Sequence, residues 1–181
     1  MSTISNKEAA LLGLLTSGPM HAYEIEKEIY NRSMRDWTEI SMSSIYKVLA
    51  RLEDRKLVVS EVKVSDSNRI QKKFTVTDDG RKVMHQWVTT KASAWERTVW
   101  PIDIAISNLD LLSTEEKIAA FGSYIRSVDE SIACYNDLLG YLKEHCSFHS
   151  LSLALRPLKL LEAERSWATD MLNHYTNHPA S

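Results

Sequence analysis

Residues 41–77 read SMSSIYKVLARLEDRKLVVSEVKVSDSNRIQKKFTVT, and the change of period inside this stretch decides the fold. From Met42 to Arg55 the apolar residues Ile45, Leu49 and Leu52 recur at helical spacing, and Val48 widens their stripe. Ser41 stands where an N-cap belongs. The stripe leaves Ser43, Ser44, Tyr46, Lys47, Ala50, Arg51 and Asp54 facing outward. After it the period falls to two. Leu57 to Val64 is β-branched and alternating, Ser65-Asp66-Ser67-Asn68 is a turn cluster, and Ile70 to Thr77 alternates again. A helix followed by a β-hairpin is the reading.

Upstream, Ala9, Leu12 and Leu15 with Ala10 and Leu14 mark a helix over residues 6–16, stopped by Ser17-Gly18-Pro19. A second runs from about His21 to Met34, with Ile25 and Ile29 on one face beside Tyr23 and Tyr30. Downstream, Thr77-Asp78-Asp79-Gly80 opens another helix that carries Val83, Trp87 and Val88 inward. Three helices and then a hairpin is the winged form of the helix-turn-helix, which sets its third helix in the major groove and its hairpin along the backbone or minor groove. Lys47 and Arg51 lie one helical turn apart and suit phosphates or guanine edges. Tyr46, Ser43 and Ser44 lie near the helix N-terminus, where hydroxyl donors and the dipole favour phosphate. Arg69, Lys72 and Lys73 supply the hairpin with cations.

Charge is divided along the chain. The net −2 hides 15 Lys+Arg against 12 Asp+Glu in residues 1–91 and 7 against 12 in residues 92–181. Eight basic and four acidic groups fall within residues 43–73. This asymmetry points the N-terminal half at a polyanion. No apolar run approaches the roughly 18 residues of a membrane span, the N-terminus lacks the features of a secretory signal, and two cysteines cannot frame a disulfide fold. A cytoplasmic, reducing setting is expected.

Four segments together resemble the PadR family of transcriptional regulators: Leu11-Leu12-Gly13-Leu14-Leu15, Gly18-Pro19-Met20-His21-Ala22-Tyr23-Glu24-Ile25, Ser44 to Glu53, and Arg69 to Gly80. They span nearly all of residues 8–80 in the family's order. Ala22 stands where glycine is common, Ile70 where proline often follows the wing arginine, and Phe74 where tyrosine is frequent. The resemblance implies a winged-helix DNA-binding domain, a dimer and control of nearby genes, more often by repression. It makes Tyr46 the recognition-helix tyrosine, Tyr23 the aromatic at the start of the second helix, and Arg69, Lys72 and Lys73 the basic wing. It also implies a helical, virulence-regulator-like C-terminal domain in the larger members, and some relatives respond to phenolic acids or drugs.

The C-terminal half has its own pattern. Ser113-Thr114-Glu115-Glu116 is a capping box. Ile118, Phe121, Ile125, Val128, Ile132, Tyr135, Leu139, Leu142 and Cys146 follow in unbroken 3-4 alternation. Leu151, Ala154, Leu158, Leu161, Arg165, Ala168, Leu172 and Tyr175 repeat that spacing over about 150–175, with Pro157 a kink or the effective start. An intramolecular antiparallel helix pair is one reading, the flanks of two such pairs meeting across a twofold axis is the fuller one, and a closed monomeric bundle the alternative. The dimer is expected, with Ile118, Phe121, Ile125, Val128, Ile132, Tyr135, Leu139, Leu142, Leu158, Leu161 and Leu172 as its apolar residues. Between the halves, Pro101 opens a short helix to about Leu109. Trp87, Trp95 and Trp100 there either fill a junction or line a pocket for a small aromatic effector.

The fold class is therefore mainly α with β at the wing: a winged helix-turn-helix over 1–91, a linker with a short helix over 92–112, and a long antiparallel helical dimerisation domain over 113–181. His145-Cys146-x-x-His149 has metal-ligand spacing, and His174 and His178 repeat it, but no second cluster completes a site and no metal or cofactor is expected. Glycine-rich nucleotide loops, nucleophile elbows and paired acids at catalytic spacing are absent, so no enzyme is indicated. Two functions remain: a dimeric regulator bound to double-stranded DNA, and a protein–protein adaptor that uses a winged helix without DNA.

Overall fold

The computed structural model describes residues 4–64 and 70–178. It divides into two compact units, residues 1–97 and residues 98–181.

In the N-terminal unit α1 spans Asn6–Thr16, closed at its start by a capping box in which Ser5 N–H donates to Glu8 Oε2 at 2.8 Å and Glu8 N–H to Ser5 Oγ. Gly18, at φ +151°, turns the chain into a two-residue strand, β1, Met20–His21. Then come α2 (Ala22–Asn31), α3 (Met42–Asp54), β2 (Val58–Val64), β3 (Ile70–Val76) and α4 (Asp78–Ser93). The second helix was expected to reach Met34 but ends at Asn31, because Ser33 enters the left-handed region at φ +46° and a 3-10 turn over Met34–Asp36 follows. Met34 is buried all the same. That turn keeps it on the core side, which is why the spacing read as continuous helix.

The strands form an antiparallel sheet in the order β1-β3-β2, with Val58 opposite Val76, Ser60 opposite Phe74 and Val62 opposite Lys72. β1 adds Met20 against Phe74 and His21 against Lys73, a pairing too short to leave a period in the sequence. The turn cluster 65–68 lies outside the described residues. Leu11, Leu12, Leu15, Ile25, Ile29, Ile45, Leu49 and Leu52 are fully buried together, each contributing about 2 kcal/mol by transfer from water. Across this core Arg55 reaches Glu8 at 3.1 Å. Burial pushes the Glu8 carboxyl up, but Ser5 and the Arg55 guanidinium outweigh it and hold the group below its usual range.

Thr77 joins hairpin to α4. Its hydroxyl lies 2.9 Å from Lys56 O and accepts Gly80 N–H at 3.0 Å, while its own N–H donates to Leu57 O. Val83 and Trp87 pack on the core as expected, but Val88 is 47% exposed. The core ends at Trp87, and every residue from Val88 to Arg97 is exposed.

The C-terminal unit holds α5 (Pro101–Ile106), α6 (Thr114–His145) and α7 (Phe148–Asn177). Pro101 occupies the first turn of α5, which stops at Ile106 rather than Leu109, a 3-10 turn over Leu109–Leu111 following. α6 starts on the Ser113/Glu116 capping box. α6 and α7 run antiparallel. Leu139 is buried with Ala154 and Leu158, and Phe121 stacks on Tyr175 and meets Trp167 edge-on. Arg165, the charged member of the stripe, pairs with Asp129 at 2.5 Å. Cys146 leaves the expected stripe, because α6 ends at His145 and Cys146 caps it in extended, exposed backbone. Ser147 caps α7, so Pro157 lies inside that helix and is not its start.

Among the described residues no helix is long and apolar enough to cross a membrane. A Cβ at position 80 falls 2.1 Å from Leu57 O and 2.8 Å from Val76 Cγ2. Gly80→Ala is therefore expected to destabilise the N-terminal unit by about 3 kcal/mol, read as a shift in urea midpoint; a change within 0.5 kcal/mol, about the scale of a neutral surface substitution, would contradict this packing.

Candidate nucleic-acid interface

α3 is held on one side by Ile45, Val48, Leu49 and Leu52, all buried, so its opposite face is fixed in orientation. On that face Ser43, Lys47, Ala50, Arg51 and Asp54 are exposed, and Tyr46 is 66% exposed. Among the described residues neither Lys47 nor Arg51 pairs with a carboxylate, which leaves both charges available. Ser44 is half-buried and committed to the cap: its hydroxyl donates to Ser41 O at 2.6 Å and accepts Ser41 N–H at 3.1 Å. Ser43 Oγ lies 3.3 Å from Ser41 Oγ and faces solvent. Tyr23 is exposed at the start of α2, stacked on His21 with ring centroids 5.6 Å apart. His21 Nδ1 in turn lies 3.2 Å from Lys72 O and ties α2 to β3.

The hairpin cations are not equivalent. Side chains alternate along β3, and Phe74 and Val76 are buried, so Lys72 shares their core-side face. Its ammonium lies over the Phe74 ring, 5.3 Å from the centroid, and reaches Glu53 Oε2 of α3 at 2.5 Å. Ser60 donates to the other oxygen of Glu53. The Lys72 ammonium and the Ser60 hydroxyl hold the Glu53 carboxyl below its usual range. Lys72 thus braces the hairpin against α3. Lys73 takes the other face, opposite Glu61 and His21. Arg69 lies outside the described residues.

Glu53, Ser60 and His21 were not singled out from sequence. The alternation puts Lys72 in phase with Phe74 and Val76, but its pairing with Glu53 depends on how the hairpin packs against α3.

The residues expected to dimerise lie along the seam between α6 and α7 of the single chain, buried to different degrees. Phe121, Val128, Leu139 and Leu158 are buried between α6 and α7, and Ile118, Ile125, Ile132, Tyr135, Leu142, Leu161 and Leu172 are half-buried. Each stripe is complementary to the other, so the hairpin closes on itself. Exposed apolar side chains lie off the seam, among them Leu138, Leu153 and Leu160.

Trp87 packs against the core of its own unit and Trp95 is 85% exposed. Trp100 lines a cavity of about 240 Å³ within the C-terminal unit, together with Ile102, Asp103 and Ile106 of α5 and Glu164 and Trp167 of α7. Trp167 was not chosen from sequence, since it neighbours the α7 stripe without belonging to it. Tyr124 donates to Glu164 Oε1 at 2.7 Å, and burial together with that carboxylate pushes its phenol up to about 12.

Residues 11–86 match the Transcriptional regulator PadR-like family. None of the curated proteins compared matches the chain. Among solved structures, Bacillus subtilis PadR in complex with operator DNA superposes with a TM-score of 0.78 at 19% identity, over 94% of this chain and 99% of that one. Bacillus subtilis PadR in complex with p-coumaric acid gives 0.76 at 19% identity, over 93% and 94%. A PadR-like transcriptional regulator from Bacillus cereus gives 0.59 at 18% identity, over 94% and 98%. At these identities the likeness is one of fold, and it extends through both units.

Removing the brace has a defined cost. Glu53 is held below its ordinary value of 4.5, so its contribution is complete above that value and fades as pH falls through the lower folded-state value. Glu53→Gln is expected to lower stability by about 1 kcal/mol at pH 7 and by less at pH 3. Urea curves at both pH values check this, and an equal loss at the two would mean the ion pair is not its source.

Proposed function

We propose, on the premise that this chain carries a PadR-like transcriptional regulator domain at residues 11–86, that it is a sequence-specific DNA-binding regulator. In this reading a homodimer occupies a pseudo-palindromic operator and represses transcription, with α3 in the major groove and the hairpin on the backbone. The carrying observation is the pair Lys47 and Arg51: exposed, one turn apart and without an acidic partner among the described residues, on a helix whose other face is locked in the core. Tyr46 and Ser43 lie beside them. The fold shared with Bacillus subtilis PadR, whose structure is in complex with operator DNA, supports DNA as the partner. Lys73 and Arg69 are the hairpin's backbone contacts, and Lys72 acts through Glu53 to set the hairpin's angle. The work is regulation rather than catalysis, and it requires no cofactor.

The dimer follows from the size of one half-site. A single winged helix contacts few base pairs, and duplication across a palindrome roughly doubles the contacts. The half-buried residues of the heptad stripes border the flank of the helical hairpin, and the protomers meet through that flank. Leu153 and Leu160 are seven residues apart on α7, share a face, and are 55% and 46% exposed. A small aromatic effector bound in the C-terminal unit would release the DNA. Trp100 in its cavity supports that part, as does the p-coumaric acid complex of Bacillus subtilis PadR.

Fluorescence anisotropy with the duplex upstream of the protein's own gene, across a salt series, tests the assignment. Lys47→Ala is expected to weaken binding and reduce the slope of log K against log salt by about one unit. Tyr46→Ala is expected to lose specific binding more than nonspecific binding. An unchanged slope would take α3 out of the groove. For the dimer, sedimentation of the Leu153→Glu/Leu160→Glu protein should show a folded monomer, with the helical circular dichroism of the parent; a dimer of full stability would place the interface elsewhere.

A further inference from the structure

The cavity between α5 and α7 carries a chemical signature of its own. Its walls are two indoles, Trp100 and Trp167, and two isoleucines, and its polar groups are the carboxylates of Asp103 and Glu164. Among the described residues no lysine, arginine or histidine lines it. The two cations of α7 nearest in sequence are spent elsewhere, Arg165 on Asp129 and Lys159 on Glu162. Asp103 forms no ion pair among the described residues. The C-terminal unit as a whole holds six Lys+Arg against eleven Asp+Glu, and the buried Lys117 of α6 is directed at the Tyr175 ring.

The walls are also held in place. Trp167 meets Phe121 and Tyr124 edge-on, at 5.8 and 6.1 Å between centroids. Glu164 is oriented by the Tyr124 hydroxyl. Trp100, at 52% exposed, is the open side. An indole face attracts a cation through its quadrupole, most strongly for tryptophan, and a carboxylate adds Coulomb attraction. A bound carboxylic acid would meet two like charges and no donor cation. The cavity, about 240 Å³, also falls below the roughly 300 Å³ at which drug-sized sites begin, which limits the occupant to about one ring and a short substituent.

We propose that this cavity binds a small aromatic or alkylated ammonium ion, held between Trp100 and Trp167 and neutralised by Asp103 and Glu164. This ligand is opposite in charge to p-coumarate. The assignment rests on the effector reading above only for its effect on DNA, since binding is measured on the free protein.

The test is isothermal titration of the full chain with benzyltrimethylammonium and, separately, with p-coumarate at the same ionic strength. Saturable binding of the cation is expected, with p-coumarate at least about 10-fold weaker. Asp103→Asn, Glu164→Gln and Trp100→Leu are each expected to weaken the cation by about 5-fold. Trp100 and Asp103 are exposed, so their variants retain the fold. Tighter binding of p-coumarate, cation binding indifferent to all three substitutions, or saturable binding of neither probe would overturn the proposal. Adding the cation to a preformed DNA complex then separates the two readings. Release upholds both, whereas binding without release upholds the site and overturns the effector role alone.

Discussion

The burial of one side of α3 is the constraint on which the orientation of its exposed cationic face depends. Ile45, Val48, Leu49 and Leu52 sit in a core built with α1 and α2, and a helix held along one stripe cannot roll. Rolling by a single residue, about 100°, would replace the stripe by Tyr46, Leu49, Ala50 and Glu53 in one direction and by Ser44, Lys47, Val48 and Arg51 in the other. Both ends are fixed too. Ser41 and Ser44 bond to each other at the start, and Lys56 in the left-handed conformation turns the chain into β2 at the finish. The cations are therefore presented by packing forces that act on other residues.

The hairpin extends this control. Lys72 spends its charge on Glu53, and the hairpin gains a fixed relation to α3 in exchange for one cation of its own. In the C-terminal unit the charge excess is negative, and the aromatic cavity falls within it. The N-terminal unit carries the excess of cations and the C-terminal unit the excess of carboxylates. Their net charge, near zero for the chain, conceals both.

Much of this was legible in the chain. The switch from helical to alternating period at Leu57 marked the third helix and hairpin, and the Ser113 capping box marked the start of α6. Individual side chains were legible where a period placed them: Tyr46, Lys47 and Arg51 stand outside their stripe. What escaped had no period to carry it. β1 is two residues long, and the end of α2 is set by the backbone of Ser33. The Glu53–Lys72 contact joins residues 19 apart in sequence through a hairpin whose register had first to be known. The heptads of α6 and α7 were plain, yet a stripe does not say whether its complement belongs to the same chain. Trp167 escaped for the same reason as Glu53, since its role comes from α5 and α6 and not from its neighbours in α7.

The closed seam between α6 and α7 restricts how the chain can change in length. Apolar side chains of the two helices meet along the seam, Phe121 with Tyr175 and Leu139 with Ala154 and Leu158, across a two-residue connection at Cys146 and Ser147. Inserting a single residue in α6 would rotate everything beyond it by about 100° and set polar groups against the stripe of α7. Seven residues restore the phase to within about 20°, but they lengthen one arm only, and the added turns then need a matching pair in the other. Length variation in this unit should therefore come as paired heptads, one in each arm, or be confined to the far ends where the arms no longer face each other.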